Sequence, residues 1–386
     1  MMNSANISRI VIQFILQIDK KQRKIGENSM FKNKKFVILI TSLLVLSLVI
    51  VGCGGGNTPS SSDPAPAPTP SGSGDAAPAP AGPDKSKWPK SLQLGAASIG
   101  GTYYIYAGGI SAILEEKLGI TTTVEVTDGP NHNIQLIEIG DLDLGMVTMG
   151  PAWEAWHGEE AWTGGRQHQE MRAIFPMYNT YSQWWASASS GITSIKDLEG
   201  KRVGAGPQSG TAGTFHPRIL EIAGVKATLR FAGLSDLVST HLDKQIDANS
   251  FAAGLPVAGV IETASQMKDM VMFGVDGELR DKVIQEYPFW SAAQIPASAY
   301  PDFMTGPVET IAIGNWAVAD KDLPEDLVYE IVKAIMENND MMLLAHQAAA
   351  ETISANATGN TWLPMHPGAI KYFEEVGIQL HPDVKK

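Results

Sequence analysis

The sequence predicts an α/β fold with largely parallel sheet, and three observations carry that reading. Strand-like and helix-like segments alternate from about residue 90 onward. Two glycine turns, Gly100-Gly101 and Gly206 to Gly210, each end a strand pattern and open a helix pattern. The chain of 386 residues holds one cysteine, Cys53, so the folded part relies on an apolar core and has no internal disulfide. That length exceeds one typical domain, which makes two lobes the expected organisation.

The first part of the chain is a different material. Phe36 to Val51 is an apolar run preceded by Lys32, Lys34 and Lys35, the pattern of a secretory signal. At 16 residues it is short for a spanning helix, which needs about 20. It ends at Ile50-Val51-Gly52-Cys53, which resembles the lipobox of bacterial lipoproteins and implies Cys53 as the lipidated first residue of the mature protein. Met30 stands directly before a complete signal, so 1–29 reads as an upstream gene-start extension and 30–52 as the signal peptide. Residues 53–87 form the lipid anchor and a Pro/Ala/Ser/Gly linker, a stiff tether that cannot form a core. Residues 1–52 carry eight of the 29 Lys and Arg and two of the 41 Asp and Glu, so the remainder has 21 against 39 and a net charge near −18. That balance argues against nucleic acid as a partner and against electrostatic attachment to anionic lipid.

The elements follow in order. Leu92, Leu94 and Ala96 alternate with polar or small residues and predict a strand running into Ser98-Ile99-Gly100-Gly101. Thr102 is the expected N-cap of a helix whose Ile110, Ile113, Leu114 and Leu118 share one face. A helix N-terminus beside glycines is either an anion site or a simple βα turn. Strands are expected at Thr121–Thr127, Leu144–Thr148 and Arg172–Tyr178, extended chain at Trp184–Ser189, and helices at Asn133–Ile139 and Pro151–Trp162. Ile195 to Gly200 reads as a short helical turn. Lys201 to Gly206 is a strand entering the second glycine turn, where Ser209 or Thr211 would cap a helix carrying Phe215, Ile219, Leu220 and Ile222. Pro217 is expected to kink that helix or to mark its real start.

Catalytic and cofactor patterns are thin. Gly204, Gly206 and Gly210 fall short of a dinucleotide fingerprint because Ser209 stands where it needs glycine, and there is no phosphate loop. The eight histidines have no metal-ligand spacing. No cofactor, metal or catalytic residue is therefore expected, and the chain reads as a binding protein, not an enzyme.

The order of short motifs carries a resemblance. Ser98-Ile99-Gly100-Gly101-Thr102-Tyr103-Tyr104 is similar to the opening S-T-G-G-T-Y-Y of TAXI-type solute-binding proteins of TRAP transporters. Gly129 to Gly145, with Asn133, Leu136, Gly140, Asp143 and Leu144, resembles a second motif of that family. So do Leu198 to Val203 with Ser209-Gly210-Thr211, Tyr287-Pro288-Phe289-Trp290, Ile295-Pro296-Ala297, Leu323 to Tyr329, and His366-Pro367-Gly368-Ala369. The resemblance covers about 92–378.

It implies a two-lobe periplasmic-binding-protein type II fold with two hinge crossings, near Ser187–Thr193 and Val308–Val318. Lobe 1 would comprise 88–190 and 311–386, and lobe 2 would comprise 191–310. It implies capture of a small organic acid, glutamate or a related C4–C6 carboxylate, and delivery to a TRAP-type membrane permease from an extracytoplasmic, lipid-anchored position. The ligand-binding residues carried over are Gly101, Thr102, Tyr103, Asn133, Ser209, Gly210, Thr211, Phe251 and Gly254. Within that set, Tyr103 either packs on the ligand or belongs to the core, and Asn133 either bonds the ligand or caps its helix. Gly254 is expected to act through its conformation. Trp153, Trp184 and Trp290 either line the pocket, favouring a bulkier or neutral solute, or fill the core. A lipoprotein feeding a membrane sensor is the other binding reading.

Overall fold

The computed structural model describes residues 85–386. Cys53, the signal segment and all but the end of the linker lie outside the described residues. A short 3-10 turn at Lys85–Lys87 leads into β1 (Ser91–Gly95), α1 (Thr102–Leu118), β2 (Thr121–Glu125), α2 (Pro130–Glu138), β3 (Leu144–Thr148), α3 (Met149–His157) and β4 (Met171–Ser187). The chain continues through β5 (Arg202–Gly204), α4 (Thr211–Ala223), β6 (Thr228–Arg230), α5 (Leu234–Leu242), β7 (Ala248–Ala253), α6 (Ala258–Gln266), β8 (Met270–Phe273), α7 (Gly277–Glu286) and β9 (Ser291–Ile295). It ends with β10 (Val308–Asp320), α8 (Glu325–Glu337), α9 (Asn339–Ala345) and α10 (Pro367–Glu375). No helix among the described residues is long and apolar enough to cross a membrane.

The expected α/β class is present, as a mixed sheet in the order β2-β1-β3-β10-β4-β7-β5-β6. β1 pairs in parallel with β2 and β3, and β5 in parallel with β6 and β7. The two long strands run antiparallel to their neighbours and join the parallel sets. β4 pairs with β10 up to Tyr181 and with β7 from Tyr181 onward. β10 pairs with β9 from Val308 to Ala312 and with β3 from Asn315 to Ala319, with a register shift between Gly314 and Trp316.

Two expectations are corrected here. The strand at Arg172–Tyr178 and the extended chain at Trp184–Ser189 are one continuous strand of 17 residues. The strand changes partner at Tyr181, from β10 to β7, and ends at Ser187, followed by a 3-10 turn at Ala188–Ser190. Pro217 stays inside α4, seven positions into the helix, without ending it.

The apolar core runs across both parallel sets, since its largest cluster also takes in Phe215 and Ile219 of α4, Val283 of α7 and Trp290. β3 is buried along its whole length, as a central strand covered on both faces must be. The largest apolar cluster joins α1 (Tyr106, Ile110, Ile113), the first strands, β10 and α8 (Leu327, Ile331, Ile335). Smaller clusters form around Trp185 with Leu234 and Val260, and around Trp184 with Val203 and Leu220. Trp184 and Trp290 are core residues, 0% and 2% exposed. Trp153, 40% exposed, is not.

Candidate functional site

The two glycine turns have the same construction. Gly101 at the start of α1 has φ −87° and ψ 161°, and Gly210 at the start of α4 has φ −87° and ψ 163°. Each closes its turn by donating its N–H three residues back, Gly101 to Ser98 at 3.2 Å and Gly210 to Pro207 at 2.9 Å. Neither helix has a side-chain cap. The first N–H groups of both therefore lack a partner from capping or from the helix itself. Thr102 and Thr211, expected as caps, are the first helical residues, and their hydroxyls point elsewhere.

Those hydroxyls join segments far apart in the chain. Thr102 Oγ1 donates to the Gly254 carbonyl at 2.8 Å, and Thr148 Oγ1 and Thr211 Oγ1 lie 2.9 Å apart. Around them Asn131 N–H donates to the Ser209 carbonyl at 3.1 Å, and Gly259 N–H to the Gly100 carbonyl at 3.3 Å. Ser235 Oγ donates to the Ile99 carbonyl at 3.1 Å. Gly129, with φ +112°, lets the backbone pass so close that an added Cβ would stand 3.0 Å from Gly210 Cα. The two glycine turns are thus apposed.

Between them lies a cavity of about 30 Å³, lined by Gly101, Tyr103, Gly129, Gly210, Thr211 and Phe251 among others. One water needs roughly 10–15 Å³ on this measure, so the cavity takes two or three waters or a carboxylate group. A whole C4–C6 acid enters only if the lobes part. The Phe251 ring is wedged between the two turns: a Cβ on either Gly101 or Gly206 would meet it at 3.4 Å.

The carried-over residues divide accordingly. Gly101, Tyr103, Gly210, Thr211 and Phe251 line the cavity. Thr102 and Gly254 bond each other beside it, and Ser209 takes part through its carbonyl. Gly254 faces Tyr178 so closely that a Cβ would come within 2.5 Å of the ring, so its lack of a side chain is steric. Asn133 does not line the cavity and does not cap its helix, whose N-cap is Gly129. Fully buried, it donates Nδ2 to the carbonyls of Ala96 and Met146, both at 2.9 Å, and accepts Thr127 Oγ1 at 2.7 Å. It fastens the end of β1 to β3.

Several contributors were not signalled in the sequence. Thr180 lines the cavity from the crossing strand β4. Asn315 on β10 accepts the Tyr103 hydroxyl at 2.5 Å and donates Nδ2 to Thr180 Oγ1 at 2.8 Å. Tyr103 is both a cavity residue and a buried one, and burial holds its phenol protonated well above the usual range. The Tyr178 hydroxyl, buried against Tyr103 with ring centroids 6.4 Å apart, has no hydrogen-bond partner among the described residues. Asp128 lines the cavity too, and no Lys or Arg does. Among the described residues no group of three His, Cys, Asp or Glu is placed to hold a metal ion. The site offers neutral donors and helix N-termini, which favour an anion without an ion pair.

The sequence profile of the NMT1-like family matches residues 94–377. Among solved structures, the chain is similar to PhnD1 from Prochlorococcus marinus in complex with methylphosphonate, at 13% identity over 68% of this chain and 91% of that one, with a TM-score of 0.45. It is similar to an ancestral arginine-binding protein bound to arginine, at 14% identity over 67% and 97%, with a TM-score of 0.43. A third similarity is to the alkanesulfonate-binding protein SsuA from Xanthomonas axonopodis pv. citri bound to MOPS, at 12% identity over 74% and 84%, with a TM-score of 0.41. Likeness at this level says nothing about what this chain binds.

Proposed function

The chain belongs to the NMT1-like family, and on that premise we propose that it is an extracytoplasmic solute-binding lipoprotein that captures a small organic acid between its lobes. One observation carries the reading: two uncapped, glycine-started helices, one from each lobe, converge on a single cavity crossed by interlobe hydrogen bonds. A carboxylate placed there accepts from the free N–H groups of α1 and α4 at once. It gains both sets only when the lobes are together, so it binds the closed arrangement better and shifts the population toward it. Closure also removes water, which strengthens each charge-assisted hydrogen bond.

Asp128 at the same cavity gives an α-amino acid a partner for its ammonium, which favours an amino acid such as glutamate over a dicarboxylate. Delivery to a TRAP-type permease, and a lipid anchor on Cys53, complete the proposal and rest on the sequence motifs alone.

The test is a thermal-shift screen of amino acids and C4–C6 acids on protein unfolded and refolded to strip carried-over ligand. A ligand at 100 times its Kd adds about 2.7 kcal/mol. For roughly 300 ordered residues, with an unfolding entropy near 2.1 cal/mol/K each, that is a rise of about 4 °C. Gly210→Ala adds a Cβ 3.3 Å from the Asp128 carbonyl across the lobe boundary and is expected to weaken binding at least tenfold. A shift with neutral or aromatic solutes and none with acids would overturn the anion reading.

A further inference from the structure

The lobe cavity is the smaller of two. On the opposite face of the crossing strands lies one of about 950 Å³, large enough for an organic ligand. The crossing strands lie between the two: Thr180 lines the lobe cavity, while Asn179 and Asn315 line the rear one, where Asn179 Nδ2 donates to Glu351 Oε2 at 2.7 Å. The rear cavity is walled by α3, by 286–289, by both crossing strands and by 351–362, so it too touches both lobes.

Its lining combines aromatic and acidic side chains with neutral polar ones such as Asn179, Asn315, Asn356, Thr358 and Thr361. The aromatic walls are Trp153, Trp316, Trp362, Tyr287 and Phe289, with Trp153 and Trp362 edge to face at 5.0 Å. Five glutamates line it, and no Lys or Arg does. Arg218, behind the wall, pairs with Glu154 and Glu160. Glu159, Glu286 and Glu351 form no ion pair among the described residues. Glu351 is the most telling of these, because it is half-buried and its only hydrogen-bond donors are the backbone N–H and side-chain amide of Asn179. The one imidazole in the lining, His157, is turned to its own helix, with Nδ1 2.9 Å from the Trp153 carbonyl.

We propose that this rear cavity is a binding site for an organic cation, an amine or quaternary ammonium with an apolar body. Ring faces attract a desolvated cation through their quadrupole, and unpaired carboxylates supply the countercharge. Five carboxylates line it against the single Asp128 of the lobe cavity, so it disfavours an anion more strongly. The occupant is a second solute, or a cationic group that reports on lobe position, since the walls come from both lobes.

Isothermal titration calorimetry of the full-length protein in detergent tests this, with benzyltrimethylammonium as the cation and phenylacetate as the anion of similar shape. The cation is expected to bind saturably and to quench tryptophan fluorescence, and phenylacetate is not. Glu351→Gln, which keeps an oxygen for Asn179, is expected to weaken the cation at least about tenfold, and Trp153→Ala, at an exposed position, roughly threefold. Absence of saturable binding, equal binding of phenylacetate, or affinity unchanged in both variants would overturn the proposal. Affinity lost in Gly210→Ala but retained in both rear variants would place the cation between the lobes and overturn it equally.

Discussion

Asn133→Ala separates a structural role from a ligand-binding one at a residue whose motif suggested ligand contact. In the wild type its side chain donates to the carbonyls of Gly95, Ala96 and Met146 and accepts the Thr127 hydroxyl. Alanine removes all four contacts at a position with no exposure. Ala96 keeps one donor, because Thr127 Oγ1 also reaches it at 3.0 Å. The Met146 and Gly95 carbonyls lose theirs. Each buried polar group left unsatisfied costs about 1–3 kcal/mol, so the loss for the two is about 2–6 kcal/mol. Across roughly 300 ordered residues that lowers the melting temperature by about 3–10 °C. Scanning calorimetry of the ligand-free protein measures it. The drop is expected without any ligand, together with looser protection of amides at 96–101, the segment that Asn133 anchors. A melting temperature within 1 °C of wild type combined with lost ligand binding would refute the assignment and return Asn133 to the ligand site.

Two further outcomes follow from buried ionisable groups. His216 lies between Ser182 and Ser250, fully buried, and burial lowers its pKa to about 3. Its native form is neutral, and below the unfolded value of about 6.5 the unfolded chain binds the extra proton, so stability falls as pH drops from 6.5 toward 3. The slope is at most about 1.4 kcal/mol per pH unit from this group, and urea titrations at pH 5, 6 and 7 are expected to show it flattened in His216→Asn. Arg218→Met strands Glu154, which is 5% exposed, without its cation. A loss of about 3 kcal/mol is expected, with most of it recovered in the double variant Glu154→Gln, Arg218→Met, as chemical denaturation would report.

Legibility in the sequence was greatest where local backbone chemistry decides the outcome. Leu144–Thr148 is a strand with those bounds because a short apolar run covered on both faces needs no help from distant residues to be recognised. Both glycine turns and the helices after them were legible for the same reason. The caps were misread: a hydroxyl beside a helix start normally caps it, yet Thr102 and Thr211 each found a partner across the lobe boundary instead. Nothing local distinguishes the two uses. Asn133 gives no sign either, since a polar residue in a helical motif does not announce that the carbonyls of Gly95, Ala96 and Met146 converge on it.

The sequence by itself determined the α/β alternation, the paired glycine turns, the acidic balance and the reliance on an apolar core, all of which are properties of neighbouring residues or of composition. Only the tertiary structure decided that 171–187 is one strand joining both parallel sets, because its two halves are defined by different partners, β10 and β7. The same holds for the cavities. Thr180 reaches one of them and its neighbour Asn179 the other because side chains alternate along a crossing strand whose pairing brings together residues more than a hundred positions apart. Such juxtapositions depend on the register between strands, and register is set by the whole sheet rather than by any stretch of sequence.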